Sequence, residues 1–558
     1  MNKIIDENYM DMIYDNALLK GCKTNDSITP LNERYSIRHV RTDRIDYCDF
    51  GREHLYYSYP GLFTPMSEVG LEKAGVTVLQ NNPHLALFGS TVLIGIIDTG
   101  IDYRHPVFRS NSGTSRILAI WDQSIQDGQA PEGYAYGTEY TNEEINQAIE
   151  SGDPLSLVPS IDENGHGTAI ASLIAGSSEN LYTFRGVVPE AQMVVVKLKK
   201  PKKNLLRISF VPENAECYQE TDIMLGLRYL KEMADRLKRP MVVCFALGSS
   251  QGSHTGLGTL SEYISDLSLS PGFDVIVAAG NEGSRSRHYY GAADSLPYDQ
   301  MFELKVSDED KLFSVEIWAQ VPSRLTLEII TPVGERTRLN YPQLGSCNQF
   351  SFVFESSRIW VNNIILEKET GDQLIVVRFE NPNNGIWRFY LDNLENEPFS
   401  FDAWLPSGSL LSKETYFLGS SPNTTVTIPG NAENALTVTA YDPVTERILS
   451  GSGRGYTRNH QIKPDVAAPG YQMPCAYPDG RYGMLTGTGA AAAFTAGAVA
   501  MILEWAVRKG NYPAITGYEI NRLIVRGANR SNLSNQYPNP IWGYGILDIY
   551  NLFLVLSL

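Results

Sequence analysis

Four short apolar runs limit the folds open to this chain: "TVLIGIID" at 91–98, "QMVVVKL" at 192–198, "PMVVCFALG" at 240–248 and "FDVIVAAGN" at 273–281. Each is strand length, rich in Val and Ile, and apolar at nearly every position rather than at every second one. A strand with that pattern is buried on both faces. Helical patterns lie between the runs, and alternating elements of this kind predict a parallel sheet covered by helices on both sides. The texture spans about 81–289 and returns over 423–558.

Between those stretches the pattern changes. Over 290–422, segments such as "LFSVEIWAQV", "LTLEIITP", "QLIVVRFE" and "GIWRFYLDN" are separated by Gly, Pro and Asn turns with no helical period between them. This predicts an all-β module inserted into the α/β domain. Residues 1–80 mix short extended and helical patterns, and no fold is assigned to them. The expected organisation is therefore an N-terminal segment over 1–80, a first α/β part over 81–289, the β insertion over 290–422 and a second α/β part over 423–558.

With 46 basic and 63 acidic residues the net charge is −17, which repels nucleic acid and anionic membranes. Neither is expected as a partner. Six cysteines without paired spacing (Cys22, Cys48, Cys217, Cys244, Cys347 and Cys475) signal neither a zinc site nor a disulfide framework, so free thiols in a reducing compartment are expected. The acidic, interrupted start "MNKIIDENYM" lacks the form of a secretory signal, so cytoplasmic synthesis is the expectation. The longest apolar run, around "FTAGAVAMILEWA", reads as a buried helix too short to span a bilayer, and no membrane span is expected.

Four segments carry chemistry. "IGIIDTGID" ends an apolar strand at Asp98, and strand ends are where α/β sheets gather ligands. "DENGHGTAIASLIAG" places His166 between Gly165 and Gly167 at the opening of a helix, where a carboxylate is needed to balance an imidazolium. Asp98 can hold that ring in one tautomer. "VIVAAGNEG" ends a buried strand at Asn281, whose amide can donate to a developing oxyanion. The fourth, "TGTGAAAAFTAG" at 486–497, is a turn running into a helix, with Gly489 between Thr488 and Ala490.

In the order Asp, His, Asn and "GTG" followed by small residues, these segments resemble the subtilisin-like serine protease family. "RGVVPEAQMVVVKL", "KPDVAAPG" at 463–470 and "GYGILDIYNL" near the end add to the likeness. The resemblance implies a subtilisin-like fold and peptide-bond hydrolysis. It makes Asp98 the residue that orients the base, His166 the general base and acid, and Asn281 the oxyanion-hole donor. Ala246, Leu247 and Gly248 would pair with an extended substrate, while Ala278, Ala279 and Gly280 would wall the specificity pocket. The implied partner is a peptide or protein substrate, or the chain's own N-terminal segment, and no cofactor or metal is assigned. Asp102, Asp162 and Glu163 are expected to be solvated or capping.

The serine position holds Gly489, which has no hydroxyl. Loss of such a nucleophile costs on the order of 10⁶ in turnover, roughly 8 kcal/mol. As written, the chain is expected to be inactive. Three readings of Gly489 stand: a natural pseudoprotease, a deliberately disabled enzyme, and replacement of the serine by another hydroxyl such as Ser452, the least favoured. The insertion, the N-terminus and "LAIWDQSIQDGQAPEGYAYGTEYT" are similar to the Csp subtilases of spore-forming clostridia. That likeness implies a prodomain over 1–80, a jelly-roll insertion, packaging in spores and protein partners in germination, in some members as a signal-sensing pseudoprotease.

Overall fold

The computed structural model describes residues 3–19, 28–45, 54–65, 80, 86–177, 185–531 and 536–557. Eleven strands build the central sheet and the cleft beside it: β1 (Leu62–Pro65), β2 (Leu93–Asp98), β3 (Ile117–Asp122), β4 (Thr138–Thr141), β5 (Gln192–Lys197), β6 (Tyr218–Gln219), β7 (Met241–Phe245), β8 (Leu247–Gly248), β9 (Phe273–Ala278), β10 (Leu436–Asp442) and β11 (Val466–Pro469). The main helices are α1 (His166–Ala175), α2 (Glu220–Leu237), α3 (Thr259–Ser268), α4 (Thr488–Leu503) and α5 (Gly517–Gly527).

The central sheet runs in the order β10, β9, β7, β2, β5, β3, β4, with β11 and the short strand Arg447–Ile448 both on β10. All pairs are parallel except β3 with β4 and β10 with Arg447–Ile448. The register sets Ile94 beside Val242 and Met193, so the continuous apolar runs lie side by side. Helices α1, α4 and α5 cover one face in a core with Ile94, Ile96 and Val195. Helices α2 and α3 cover the other, against Leu93, Ile97 and Val243. This is the α/β architecture that the apolar runs predict: strands buried on both faces cannot afford polar alternation.

The all-β part begins at His288 and returns at Leu418. One antiparallel sheet has six strands in the order His288–Ala293, Phe399–Trp404, Leu312–Ala319, Gln373–Glu380, Arg358–Ile364 and Ser346–Ser351. The other has four: Leu325–Ile330, Gly385–Asn393, Asp299–Val306 and Tyr416–Leu418. Phe302, Phe379, Trp387 and Phe389 fill the core of this part, Phe302 stacked on Phe389 at 4.7 Å. In the N-terminal segment, Tyr9–Asp15, Tyr35–Arg41 and Ile28–Pro30 form a three-stranded antiparallel sheet.

Two expectations are corrected. Cys347 is disulfide-bonded, against the expectation of free thiols; a single bridge needs no paired spacing, so the sequence carried no signal of it. Cys217, Cys244 and Cys475 are free and buried, and Cys22 and Cys48 lie outside the described residues. The stretch Thr488–Arg508 is 21 residues long and apolar, enough by length and composition to cross a membrane. Only the expectation that it is too short to span is corrected; as expected it is a buried helix, with 89% of its apolar window inside the protein.

Candidate active site

Asp98 is the last residue of β2, a strand buried along its whole length, and its carboxylate emerges at the carboxyl edge of the sheet. Its Oδ1 accepts from the Thr99 amide at 2.7 Å and faces His166 Nδ1 at 2.7 Å. Both side chains are buried. His166 opens α1 behind Gly165, whose φ of 87° reverses the chain. Gly167 must come very close to the Asp98 turn: a Cβ there would lie 2.1 Å from the Gly100 carbonyl oxygen. Helix α1 therefore seats on the end of β2 with no room for a side chain between them, and that contact sets the His166 to Asp98 distance.

Burial works to lower the pKa of His166, but Asp98 first, then Asp162 and Glu216, outweigh it and the net shift is upward. The Asp98 carboxylate also fixes the tautomer by accepting from Nδ1. Among the described residues, His166 Nε2 is left buried with no hydrogen-bond partner, as is Asp98 Oδ2. An unpaired imidazole nitrogen in a buried site is costly unless a partner enters, and here it is the nitrogen that a general base would use.

Two residues outside the sequence-based roles hold this arrangement. Asp162 Oδ1 accepts from the Gly165 amide at 2.8 Å and from the Thr99 hydroxyl at 2.7 Å, while Oδ2 accepts from the Thr168 amide and hydroxyl at 2.9 and 2.6 Å. The Thr99 hydroxyl in turn accepts from the Gly167 amide at 2.9 Å. Asp162 thus caps α1 and ties it to the Asp98 turn. The spacing Asp162, Gly165, Thr168 carried the signal, an acidic residue just ahead of a helix start. Asp102 is likewise buried, accepting from the Arg104 and Asp479 amides, and Glu163 pairs with Lys197 at 3.3 Å.

Asn281 follows β9 and the turn residues Ala279 and Gly280. Its Oδ1 accepts from the Thr488 amide and hydroxyl, both at 3.2 Å, and the Thr488 hydroxyl accepts from the Gly280 amide at 3.0 Å. With the oxygen so committed, the amide Nδ2 keeps its donors for another acceptor. Gly489 is the second residue of α4, buried, directly after Thr488. Helices α1 and α4, whose first turns carry His166 and Gly489, pack against each other and both contact β2.

Leu247 and Gly248 form β8, which pairs antiparallel with β1 of the N-terminal segment: Leu247 opposite Pro65 and Gly248 opposite Thr64. On its other side β1 pairs with β6, Leu62 opposite Gln219 and Phe63 opposite Tyr218. The chain's own segment therefore lies as an extended strand between two edges of the cleft. Ala246 is buried between β7 and β8. Ala278, Ala279 and Gly280 are tied by Ala279 to Val438 and Thr427 and by Gly280 to Gly453. The cavity beside Asn281 is lined by later residues of the same loop, including Glu282, Arg285 and Arg287, and not by 278–280.

A model of the subtilase family matches residues 89–310 and 412–545, which take in most of both α/β parts and the two ends of the all-β part. The chain belongs to the subtilase family. Among solved structures, the CspB protease of Clostridium perfringens is similar with a TM-score of 0.77 at 28% identity, covering 86% of this subtilase and 96% of that chain. C5a peptidase of Streptococcus pyogenes is 21% identical over 474 residues, 77% of this chain and 36% of its own length. A subtilisin of Bacillus sp. is 25% identical over 214 residues, 38% of this chain and 39% of its own length. The subtilase thus spans a little over a third of the curated relatives it matches. The scaffold is that of a subtilisin-like serine protease, a hydrolase family whose substrates are peptides or proteins.

Proposed function

We propose that this subtilase holds an extended polypeptide in its cleft and does not hydrolyse it, because Gly489 stands where the family places the nucleophilic serine. The observation that carries the reading is His166 Nε2, buried and without a partner among the described residues. A general base is in place, and among the described residues no hydroxyl bonds to it. Ser452 is no substitute: its hydroxyl donates to the Ala440 carbonyl at 3.1 Å and lies against the Ala440 amide at 3.3 Å. Without the acyl-enzyme route, the remaining groups supply at most a rate of about 10³–10⁴ over water. The strand β1 between β8 and β6 supports retention of polypeptide binding.

Under this reading the chain is a pseudoprotease acting through partners. Its likeness to the Csp subtilases supports a role in spore germination, with packaging in the spore. The second reading, a serine endopeptidase in disabled form, is favoured by the intact Asp98 to His166 pair and by the orientation of Asn281. The variant Gly489→Ser separates them, assayed for self-cleavage within residues 60–85 and for peptide hydrolysis. An inert but folded serine variant removes the enzyme reading. Immediate self-cleavage takes away most of the support for a natural pseudoprotease.

A further inference from the structure

The cavity beside Asn281 has a charge opposite to that of the chain. It measures about 710 Å³, has Pro65 at its rim, and is walled by the loop after Asn281, by Gly487 and by Lys413 and Tyr416 of the all-β part. Its charged residues are Arg285, Arg287, Lys413 and Glu282, in a protein of net charge −17. Two of these answer each other. Arg287 is buried, donates to the carbonyls of Leu411 and Ser412 at 2.7 and 3.0 Å, and lies 4.0 Å from Glu282. Glu282 accepts from the Gly408 amide at 3.1 Å. The side chains of Arg285 and Lys413 have no hydrogen-bond or ion-pair partner among the described residues.

Arg285 feels Glu282 across the cavity, but with Arg287 and Lys413 the cations outnumber that one carboxylate, and a concave wall of this kind focuses a positive potential. The position of the site says what meets it. Strand β1 runs from Leu62 to Pro65 along β8, and its last residue, Pro65, lines the cavity together with Asn281. A polypeptide held as β1 is held advances about 3.3 Å per residue, so its next few side chains come within reach of the cavity. We propose that this cavity is a subsite for a carboxylate side chain of a bound peptide, and that Arg285 and Lys413 set the preference. The proposal rests on the peptide-binding reading above and adds the chemistry of the peptide. The sequence following Pro65 is itself Met66, Ser67, Glu68. Because Lys413 comes from the all-β part, the subsite needs both parts of the molecule.

The test uses the full chain and three short peptides, N-acetyl-Ser-Glu-Val-amide and its Gln and Lys forms, titrated by calorimetry or NMR at low salt. The Glu peptide is expected to bind about tenfold more tightly than the Gln peptide, as one charge-assisted contact allows, with the Lys peptide weakest. The double variant Arg285→Gln/Lys413→Gln abolishes the preference. Equal binding of the Glu and Gln forms, a preference that survives in the double variant, or no binding at all overturns the subsite. So does acetate binding as tightly as the Glu peptide, which indicates a general anion site. Failure of the underlying reading is seen separately, by hydrogen exchange at Phe63, Thr64 and Gly248. Fast exchange there removes the peptide-binding edge, whereas protection without a charge preference removes only the subsite.

Discussion

Asp162 is the residue on which the geometry of His166 most depends. It accepts four hydrogen bonds from Thr99, Gly165 and Thr168 in a buried site. Asp162→Ala leaves those donors unpaired, at a cost on the order of 3 kcal/mol, measurable as a lower urea midpoint with unchanged slope. An unchanged midpoint removes Asp162 from its positioning role. The same cluster sets a pH dependence. Because Asp98, Asp162 and Glu216 raise the pKa of His166, the imidazole stays protonated above its ordinary range near 6.5. If Gly489→Ser restores hydrolysis, its rate rises with pH along a limb centred above 6.5, and Asp98→Asn moves that limb down. A limb at or below 6.5 in the serine variant contradicts the electrostatics. Asp98, His166 and Asn281 were legible in the sequence because each sits in a short motif at an element boundary. Asp162 was read only as solvated or capping, since a carboxylate ahead of a helix carries no sign of how deeply it will be buried.

At the scale of elements, the stretch leading into β1, from Tyr56 to Gly61, is held by carboxyls from two different parts of the molecule. Glu220, at the start of α2, accepts from the Gly61 amide at 2.7 Å and the Leu260 amide at 3.0 Å. Glu316, in Leu312–Ala319, accepts from the Tyr56 hydroxyl at 2.7 Å and the Gly252 amide at 2.8 Å. Burial pushes each carboxyl from 4.5 up to about 7, against the hydrogen bonds that favour the charged form. The folded state thus binds protons that the unfolded chain releases. The stability this provides is fully present below pH 4.5 and is lost as pH rises through about 7, by about 3 kcal/mol for each group. Urea midpoints between pH 4.5 and 8 are expected to fall for the wild type, and the fall is smaller in Glu220→Gln or Glu316→Gln. A slope the same in all three proteins contradicts this assignment. The sheet strands were readable because burial on both faces writes a continuous apolar run, and the β insertion because its turns recur without a helical period. Strand β1 left no such mark: four residues paired to β6 and β8, far along the chain, owe their conformation to partners rather than to local pattern.

The whole molecule is knit together by cores that cross its parts. Ile13, Tyr35 and Ile37 of the N-terminal segment share a core with Leu93, Leu230 and Phe245 of the α/β part. Met10, Met12 and Val40 share another with Leu205 and with Trp318, Leu374 and Trp404 of the all-β part. Trp404 is stacked by His254 at 4.1 Å and by His288 at 4.9 Å, one from each side of the insertion boundary. Among the described residues, only the group around Phe302 and Trp387 belongs wholly to the all-β part. Separate domains with small polar contacts unfold in steps, but parts that share buried apolar side chains cannot lose one another without exposing them. We therefore expect the described parts to unfold together. Three proteins, each keeping one of Trp121, Trp318 or Trp387 as the only fluorescent indole near its site, report from the α/β core, the junction and the all-β core. Their fluorescence midpoints in urea should coincide. A Trp387 midpoint clearly above the other two would mean that the all-β core stands alone after the junction opens, and that the insertion is a separate folding unit.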